Sequence, residues 1–360
     1  MKKTVLIAAL LLWCSFSGAQ VITSVVCDQD TKRPISNVYV YLDGTSINTI
    51  TNDSGIFELK TSSVINTGLV IYHMSYETAF IDRPFEGIPD TLYIKERMNI
   101  IEEITIRADI FTREQKMKAF REQFLGMSRA GMSCTIENED DIEFWVDTQT
   151  QTLFAWSDKP IEVVNDYLGY KVSFILVDFW VQYHDITNRT VLRSPTDLPS
   201  ALNSSNVHNM FFAVVSLFTD TAPDNRRIKR RRDNVYEQSP NYFFKSFVND
   251  DLRGNNFTIY NGSLPANPQN YFAIKDTLSQ KMISIIPDTD INRDRASFTE
   301  TKPSGIISVL YRRNVRSDIY FMTDSFLVDR YGNIDQFDKI SFSGQMGENR
   351  AGGMLPMDYE

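Results

Sequence analysis

Residues 21–107 are written as short β-branched and aromatic runs, each cut off by turn chemistry, and this alternation points to an all-β fold. "VITSVVCD" opens the stretch. "KRPIS" breaks it, because Pro34 has no N–H to give a central ladder. "NVYVYLDG" alternates, with Val38, Val40 and Leu42 on one face and Tyr39 and Tyr41 on the other. "INTITNDSGIFELK" reads as a hairpin around Asn52-Asp53-Ser54-Gly55. Asn and Asp bond their own backbone there, and Gly55 accepts positive φ. "GLVIYHMSY", "DTLYIKE" and "IEEITIR" bring the total to about seven strands, the count of a small sandwich.

A different period follows. In "TREQKMKAFREQFLGMS", Met117, Phe120 and Phe124 recur at helical spacing. Thr112 and Gln115 have the spacing of a capping box, and Gly126 is a stop. From Cys134 strands dominate again. "IEFWVDTQTQTLFAWS" resembles a hairpin with a polar tip, and "GYKVSFILVDFWVQY" a long strand or a pair. "QSPNYFFKSFVNDDLRG" predicts a helix with Ser239 as N-cap, Pro240 at N1, Phe243, Phe244 and Phe247 inward, and Gly254 past its end. "KMISIIP", "GIISVLYRR", "DIYFMTDSFLVDRYGNI" and "KISFSG" are further strands, and "GENRAGGMLPMDYE" is irregular. The organisation expected is therefore a signal peptide at 1–19, a sandwich at 20–107, a connecting helix at 108–127, and a β-rich domain with one or two helices at 128–360.

The signal peptide rests on Lys2 and Lys3, the apolar residues 5–13, and Ser17-Gly18-Ala19 before Gln20. The apolar run is shorter than the roughly 20 residues a spanning helix needs. Trp13 before Cys14 does not fit a lipoprotein signal. No later window is apolar enough to cross a bilayer as a helix. The expected address is export, to the periplasm or the outer membrane. The formal charge is −9, and cleavage would make it two units more negative. Such a chain is a poor candidate for general nucleic-acid or anionic-membrane binding. Cys27 and Cys134 would remain after cleavage. One bridge is open to them in an oxidising compartment, but two separate buried thiols are expected.

Asp28, "TKRPISNVYVYLDGTSINTITNDSGIFEL" and "LVIYHMSYE" resemble the carboxypeptidase regulatory-like family. That family's Thr-Asp-x-x-Gly-x-Phe turn is matched by Thr51 to Phe57 with the acidic position shifted by one, and "HMSYE" stands where Gly-Tyr is usual. The resemblance implies a transthyretin-like, or prealbumin-like, β-sandwich. "IIEEITI" looks like the strand that follows this module in many outer-membrane proteins, including TonB-dependent transporters. "FREQFLG", "CTIEN", "RRDNVYEQSPNYFFKSF" and "MLPMDYE" are similar to exported Bacteroidetes-type proteins named only for that domain. The resemblance implies an envelope location and no established activity.

The residues assemble no catalytic pattern. A zinc carboxypeptidase needs two His and a Glu around a water, but His73, His184 and His208 stand in "HMSYE", "HDITN" and "HNMFF", without ligand spacing. "GMSRAG" is one residue too long for G-x-S-x-G and follows a helix, so Ser128 reads as a turn residue. Cys134 lies in a strand and reads as structural rather than as half of a thiol dyad. "GQMGENRAGG" lacks the Lys and Ser/Thr of a phosphate loop. In "DTDINRD", Asp288, Asp290, Asn292 and Asp294 offer hard oxygens. Arg293 and Thr299 stand where a calcium loop needs Gly and Glu, so a solvated turn is expected. "ENEDD" reads as a solvated loop. "RRIKRRR" reads as a mobile charged loop or a contact for anionic lipid phosphates. Trp145, Trp156, Phe174, Phe179, Trp180 and Tyr183 read by default as core, although exposed ones could stack on sugars.

No catalytic residue, metal or cofactor is therefore expected. The expected role is non-enzymatic, the sandwich acting as an interaction or spacer module and the second domain binding a protein or glycan partner. The alternatives are an envelope hydrolase with an unfamiliar site and an accessory to TonB-dependent uptake with peripheral outer-membrane contact.

Overall fold

The structure, a computed structural model, describes residues 20–97, 111–184, 186, 201–286 and 305–360. The expected signal peptide, "IEEITIR" and "DTDINRD" lie outside the described residues. The chain is mainly β, and its buried apolar side chains gather into three main cores.

The first core belongs to a two-sheet sandwich. Its strands are β1 (Gln20–Asp28), β2 (Tyr39–Leu42), β3 (Asn48–Ile50), β4 (Ile56–Thr61), β5 (Leu69–Tyr72), β6 (Ala79–Ile81) and β7 (Thr91–Ile94). One sheet has the order β4-β1-β7 and the other β3-β2-β5-β6. Val26, Val38, Val40, Leu42, Phe57 and Leu59 fill the space between them. β6, a short strand, was not foreseen.

The turn at residues 52–55 does not close a hairpin, as the sequence had suggested. β3 and β4 lie in opposite sheets, so the turn carries the chain across the sandwich. The local chemistry is as expected: Asn52 Oδ1 accepts the N–H groups of Ser54 and Ile56, and Gly55 has φ 70°. Tertiary contact decides the rest. The Val26 N–H donates to the Gly55 carbonyl, and a Cβ on Gly55 would lie 2.5 Å from the Val26 carbonyl oxygen. This close approach hands β4 to β1, with Val25 opposite Ile56.

The second core lies between α1 (Arg113–Phe124) and a six-stranded sheet. The sheet contains β8 (Cys134–Ile136), β9 (Ile142–Asp147), β10 (Thr152–Ser157), β11 (Ile161–Asn165), β12 (Tyr170–Tyr183) and β13 (Val207–Asp220). The order is β8-β11-β12-β10-β9, with β13 on the other edge of β12. Thr112 and Gln115 form the expected capping box, and Gly126 follows the helix at φ 84°. Phe120 and Phe124 pack on Phe174 and Phe179. "ENEDD" is no free loop: Glu139–Asp141 form one 3-10 turn, and Glu139 pairs with Arg121 and Asp141 with Lys159.

α2 (Arg226–Tyr236) and α3 (Pro240–Val248) lead into the third core. Its strands are β14 (Phe257–Asn261), β15 (Leu264–Pro265), β16 (Phe272–Asp276), β17 (Lys281–Ile285), β18 (Gly305–Tyr311), β19 (Val315–Phe321), β20 (Ser325–Val328) and β21 (Ile340–Gly344). They form sheets β15-β14-β18-β19-β21 and β16-β17-β20. Ser239, Pro240, Phe243, Phe244 and Phe247 take the places expected of them in α3. The stop differs. Asp250, at φ 55°, ends the helix with Asp250 N–H on the Phe247 carbonyl and Asp251 N–H on the Ser246 carbonyl, well before Gly254. Those two bonds form a Schellman cap, which tolerates Asp in the left-handed position.

"RRIKRRR" is also a correction: it is the first seven of the eleven residues of α2, not a mobile loop. Asn225 caps it by accepting from Arg227 and Ile228 N–H. Arg232 is buried and donates to both oxygens of Asp220 at 2.7 Å and to the carbonyls of Leu168 and Gly169.

Two features join the cores. Residues 329–333 form a buried polar knot in which Asp329, 2% exposed, accepts from Tyr331 N, Asn333 N, Asn333 Nδ2 and, on the sandwich, Asn66 N. Residues 345–360 are irregular, as expected, but packed. Gly352 donates to the Leu125 carbonyl and accepts from Asn165. Met357 donates to the Gly44 carbonyl and accepts from Asn333, and Ser46 bonds Asp358.

Candidate binding surface

The six-stranded sheet turns one face to α1 and the other outward. On the outer face the N-terminal sandwich covers one half: Tyr41, Val70 and Tyr72 pack against Ile175, Val215 and Leu217. Gly44 and Thr45 continue as a short backbone pairing along β13, with Gly44 N–H on the Ser216 carbonyl and Phe218 N–H on the Thr45 carbonyl. Asp43 Oδ1 accepts Ser216 N–H at 2.7 Å, and burial at this seam raises its carboxyl from 3.8 to about 6. Thus Tyr41, opposite Val40 on its strand, is buried too, by a neighbouring unit rather than by its own sandwich.

Beyond the β12 bulge between Leu176 and Asp178, the same sheet face is uncovered among the described residues. The register there aligns one aromatic from each of four adjacent strands: Trp145 opposite Phe154, Phe154 opposite Trp180, and Trp180 opposite Phe211. Trp145 and Phe154 stack at 5.2 Å and 18°, and Trp180 and Phe211 at 6.1 Å and 28°. Trp145, Trp156 and Phe211 are 45%, 46% and 46% exposed, and Val177 at the bulge is more so. Glu143, Asp147, Asp178, Gln182 and Asn209 edge the patch. A contiguous aromatic face with a polar margin is the composition of an interaction surface.

The ring geometry restricts what binds. At 5.2 Å and 18°, Trp145 and Phe154 form an offset stack, so each ring covers part of its neighbour's face and leaves edges and apolar flanks free.

The six aromatics singled out in the sequence therefore divide. Phe174, Phe179 and Tyr183 are core, while Trp145 and Trp156 are exposed and Trp180 is half-buried. Phe154 and Phe211 belong to the surface and were missed. The signal was the period of two: in "FWVQY", Phe179 and Val181 face inward, so Trp180 faces out. Phe211 lies in "VHNMFFAVVSLFTD", a segment outside the strands expected from the sequence although its β-branched and aromatic residues suit one.

The reactive candidates are not brought together into a catalytic arrangement. Cys27 and Cys134 are free thiols. Burial pushes the Cys134 thiol up to about 12, with Asp166 adding to it, and its Sγ donates to the Ala130 carbonyl. Ser128 Oγ accepts Gly131 N–H in the turn after α1. His73 Nδ1 accepts Ser75 N–H, and burial lowers its pKa. His184 and His208 do meet, their rings 4.7 Å apart, at the far end of β12 and β13. Among the described residues no three His, Cys, Asp or Glu side chains gather in a group able to hold a metal.

A cleft of about 910 Å³ separates the sandwich from the third core. Its carboxylates are largely engaged: Glu86 with Arg83 at 3.4 Å, Asp276 with Lys281 at 3.6 Å, Asp338 with Lys339 at 3.2 Å, and Asp335 accepting Leu327 N–H at 2.7 Å. Among its described lining residues the Thr67 and Thr277 hydroxyls donate to backbone carbonyls rather than to a base.

A family model described as CarboxypepD_reg-like domain matches residues 22–106. No curated protein matches the chain.

Proposed function

We propose that this is a non-enzymatic binding protein of the cell envelope, in which a carboxypeptidase regulatory-like β-sandwich braces a second unit that holds a protein partner. The observation that carries the proposal is the exposed row Trp145, Phe154, Trp180 and Phe211, lying on the face the sandwich partly covers. An unspecialised surface does not concentrate Trp and Phe in one patch, whereas interface centres are enriched in them. Rings whose faces are partly taken up by one another suit side chains of a protein better than the flat faces of pyranose rings. The export-type leader and the resemblance to envelope proteins favour a partner at the outer membrane, and a TonB-dependent transporter is the first to test.

The experiment is capture from native envelopes with purified protein, repeated with the Trp145→Ser/Phe211→Ser double variant. A transporter or other envelope protein retained by the parent and lost with the variant supports the role. Equal retention by both removes the surface from consideration. Binding to a glycan array abolished by the same variant would replace the protein partner with a glycan. Hydrolysis of a peptide or glycan panel, abolished by a point substitution, would establish the enzymatic alternative instead.

A further inference from the structure

We propose that the outward face of α2 is a docking surface for a phosphate-bearing lipid membrane. Ile228 packs toward Gly169 and Arg232 is buried in its bonds to Asp220, Leu168 and Gly169, which leaves Arg226, Arg227 and Arg230 exposed on the opposite side. Among the described residues these three guanidinium groups have no carboxylate partner within ion-pair distance. Arg231 and Arg129 flank them, both lying over the Tyr167 ring, at 4.4 and 5.3 Å. Lys229 is taken up by Asp233 and the Glu360 carbonyl. Asp224, just before the helix, is the nearest opposing charge in sequence.

Three observations favour a membrane over other polyanions. The patch is presented by a rigid helix, held at its start by Asn225 and at its centre by Arg232, so the arginines are ordered before contact. The depression beside it, around Ala222 and Pro223, is open rather than enclosed and would not grip an extended peptide. The whole chain has a formal charge of −9 with this basic run included, so the remainder is more acidic still, and a broad anionic surface repels every other approach and orients the molecule helix-first. Planar guanidinium forks match phosphate oxygens. With no exposed apolar wedge on this face the contact would be peripheral and salt-sensitive.

The test is sedimentation of the full chain with vesicles of phosphatidylcholine alone and with vesicles of equal phosphatidylcholine and phosphatidylglycerol. Binding is expected only to the anionic vesicles. Arg226→Gln/Arg227→Gln/Arg230→Gln should weaken it roughly a hundredfold, from the contribution of each basic residue near a charged membrane. An unchanged thermal melt shows that the variant is folded. Equal binding to neutral vesicles, or full binding by the folded variant, overturns the proposal. So does tight binding to poly-glutamate without binding to vesicles, which would assign the patch to an acidic polypeptide. Binding of inorganic phosphate without vesicle binding likewise overturns it. Loss of vesicle binding in Trp145→Ser/Phe211→Ser with the arginines intact would place the contact on the aromatic face instead, so the two surfaces are separable.

Discussion

Replacing Arg232 tests whether a buried cation fixes α2 to the sheet. In Arg232→Ala four hydrogen bonds are lost: two to Asp220 and one each to the Leu168 and Gly169 carbonyls, at 2.6 to 2.8 Å. The guanidinium also leaves the Tyr170 ring, over which it sits at 3.8 Å. Removing one partner of a buried ion pair costs about 3–5 kcal/mol. The Asp220 side chain is 33% exposed and recovers water when abandoned, so the lower end applies, about 3 kcal/mol. Urea unfolding should show this loss, and Arg232→Lys should recover only part of it, because an ammonium cannot reach both carboxylate oxygens and both carbonyls. In a double-mutant cycle with Asp220→Ala the pair should show coupling of about 2 kcal/mol. The Arg232 hydrogen bonds hold the Asp220 carboxyl below its ordinary 3.8. A depressed carboxylate contributes stability above that value and loses it as pH falls through the folded value, so the gap between parent and variant should narrow below about pH 4. A loss under about 1 kcal/mol, or no coupling, would refute the idea that this cation anchors the helix.

Asp43 should give the opposite pH slope. Its folded pKa of about 6 lies above 3.8, so the folded state holds the extra proton and stability should fall as pH rises from about 4 to 6. Asp43→Asn should flatten that slope in pH-dependent melts and gain at most about 3 kcal/mol at neutral pH. Gly332→Ala should cost about 2 kcal/mol or more of stability, read as a sharply lower melting temperature, since φ is 92° and a Cβ would sit 1.9 Å from the Asn241 carbonyl oxygen. Trp145→Ser, by contrast, removes a half-exposed side chain and should cost under about 1 kcal/mol in the same assay. Cys27 and Cys134 should label slowly with a thiol reagent in the folded protein and both react fully in denaturant without reductant, because they are unbridged and shielded.

Local signals in the sequence suffice where local chemistry decides. The Thr112 and Gln115 box, the Ser239 and Pro240 start of α3, and the alternation of Val38, Val40 and Leu42 each follow from bonds within a few residues. Long-range choices were not legible. Nothing near Gly55 says that its carbonyl will take the Val26 N–H, yet that bond sends β4 to the other sheet. The basic run looked mobile because an isolated cluster of arginines repels itself. Asp220, twelve residues from Arg232, supplies the counter-charge that makes it a helix. The binding face was half visible: tryptophans could be counted, but which ones reach water depends on β12 and β13 pairing and on where the sandwich ends.

The glycines of "RAGG" close the packing rather than loosen it. A Cβ on Gly352 would lie 2.5 Å from the Leu125 carbonyl oxygen and 2.6 Å from Gly131 Cα. Residues 345–360 thus work as a clasp, meeting α1, the sandwich and the 329–333 knot by contacts that are wholly noncovalent. A clasp of that kind can be detached and returned. A version of the protein lacking those residues would have a vacant groove running past all three cores, and a synthetic peptide of the same sequence supplied in trans should reseat in it.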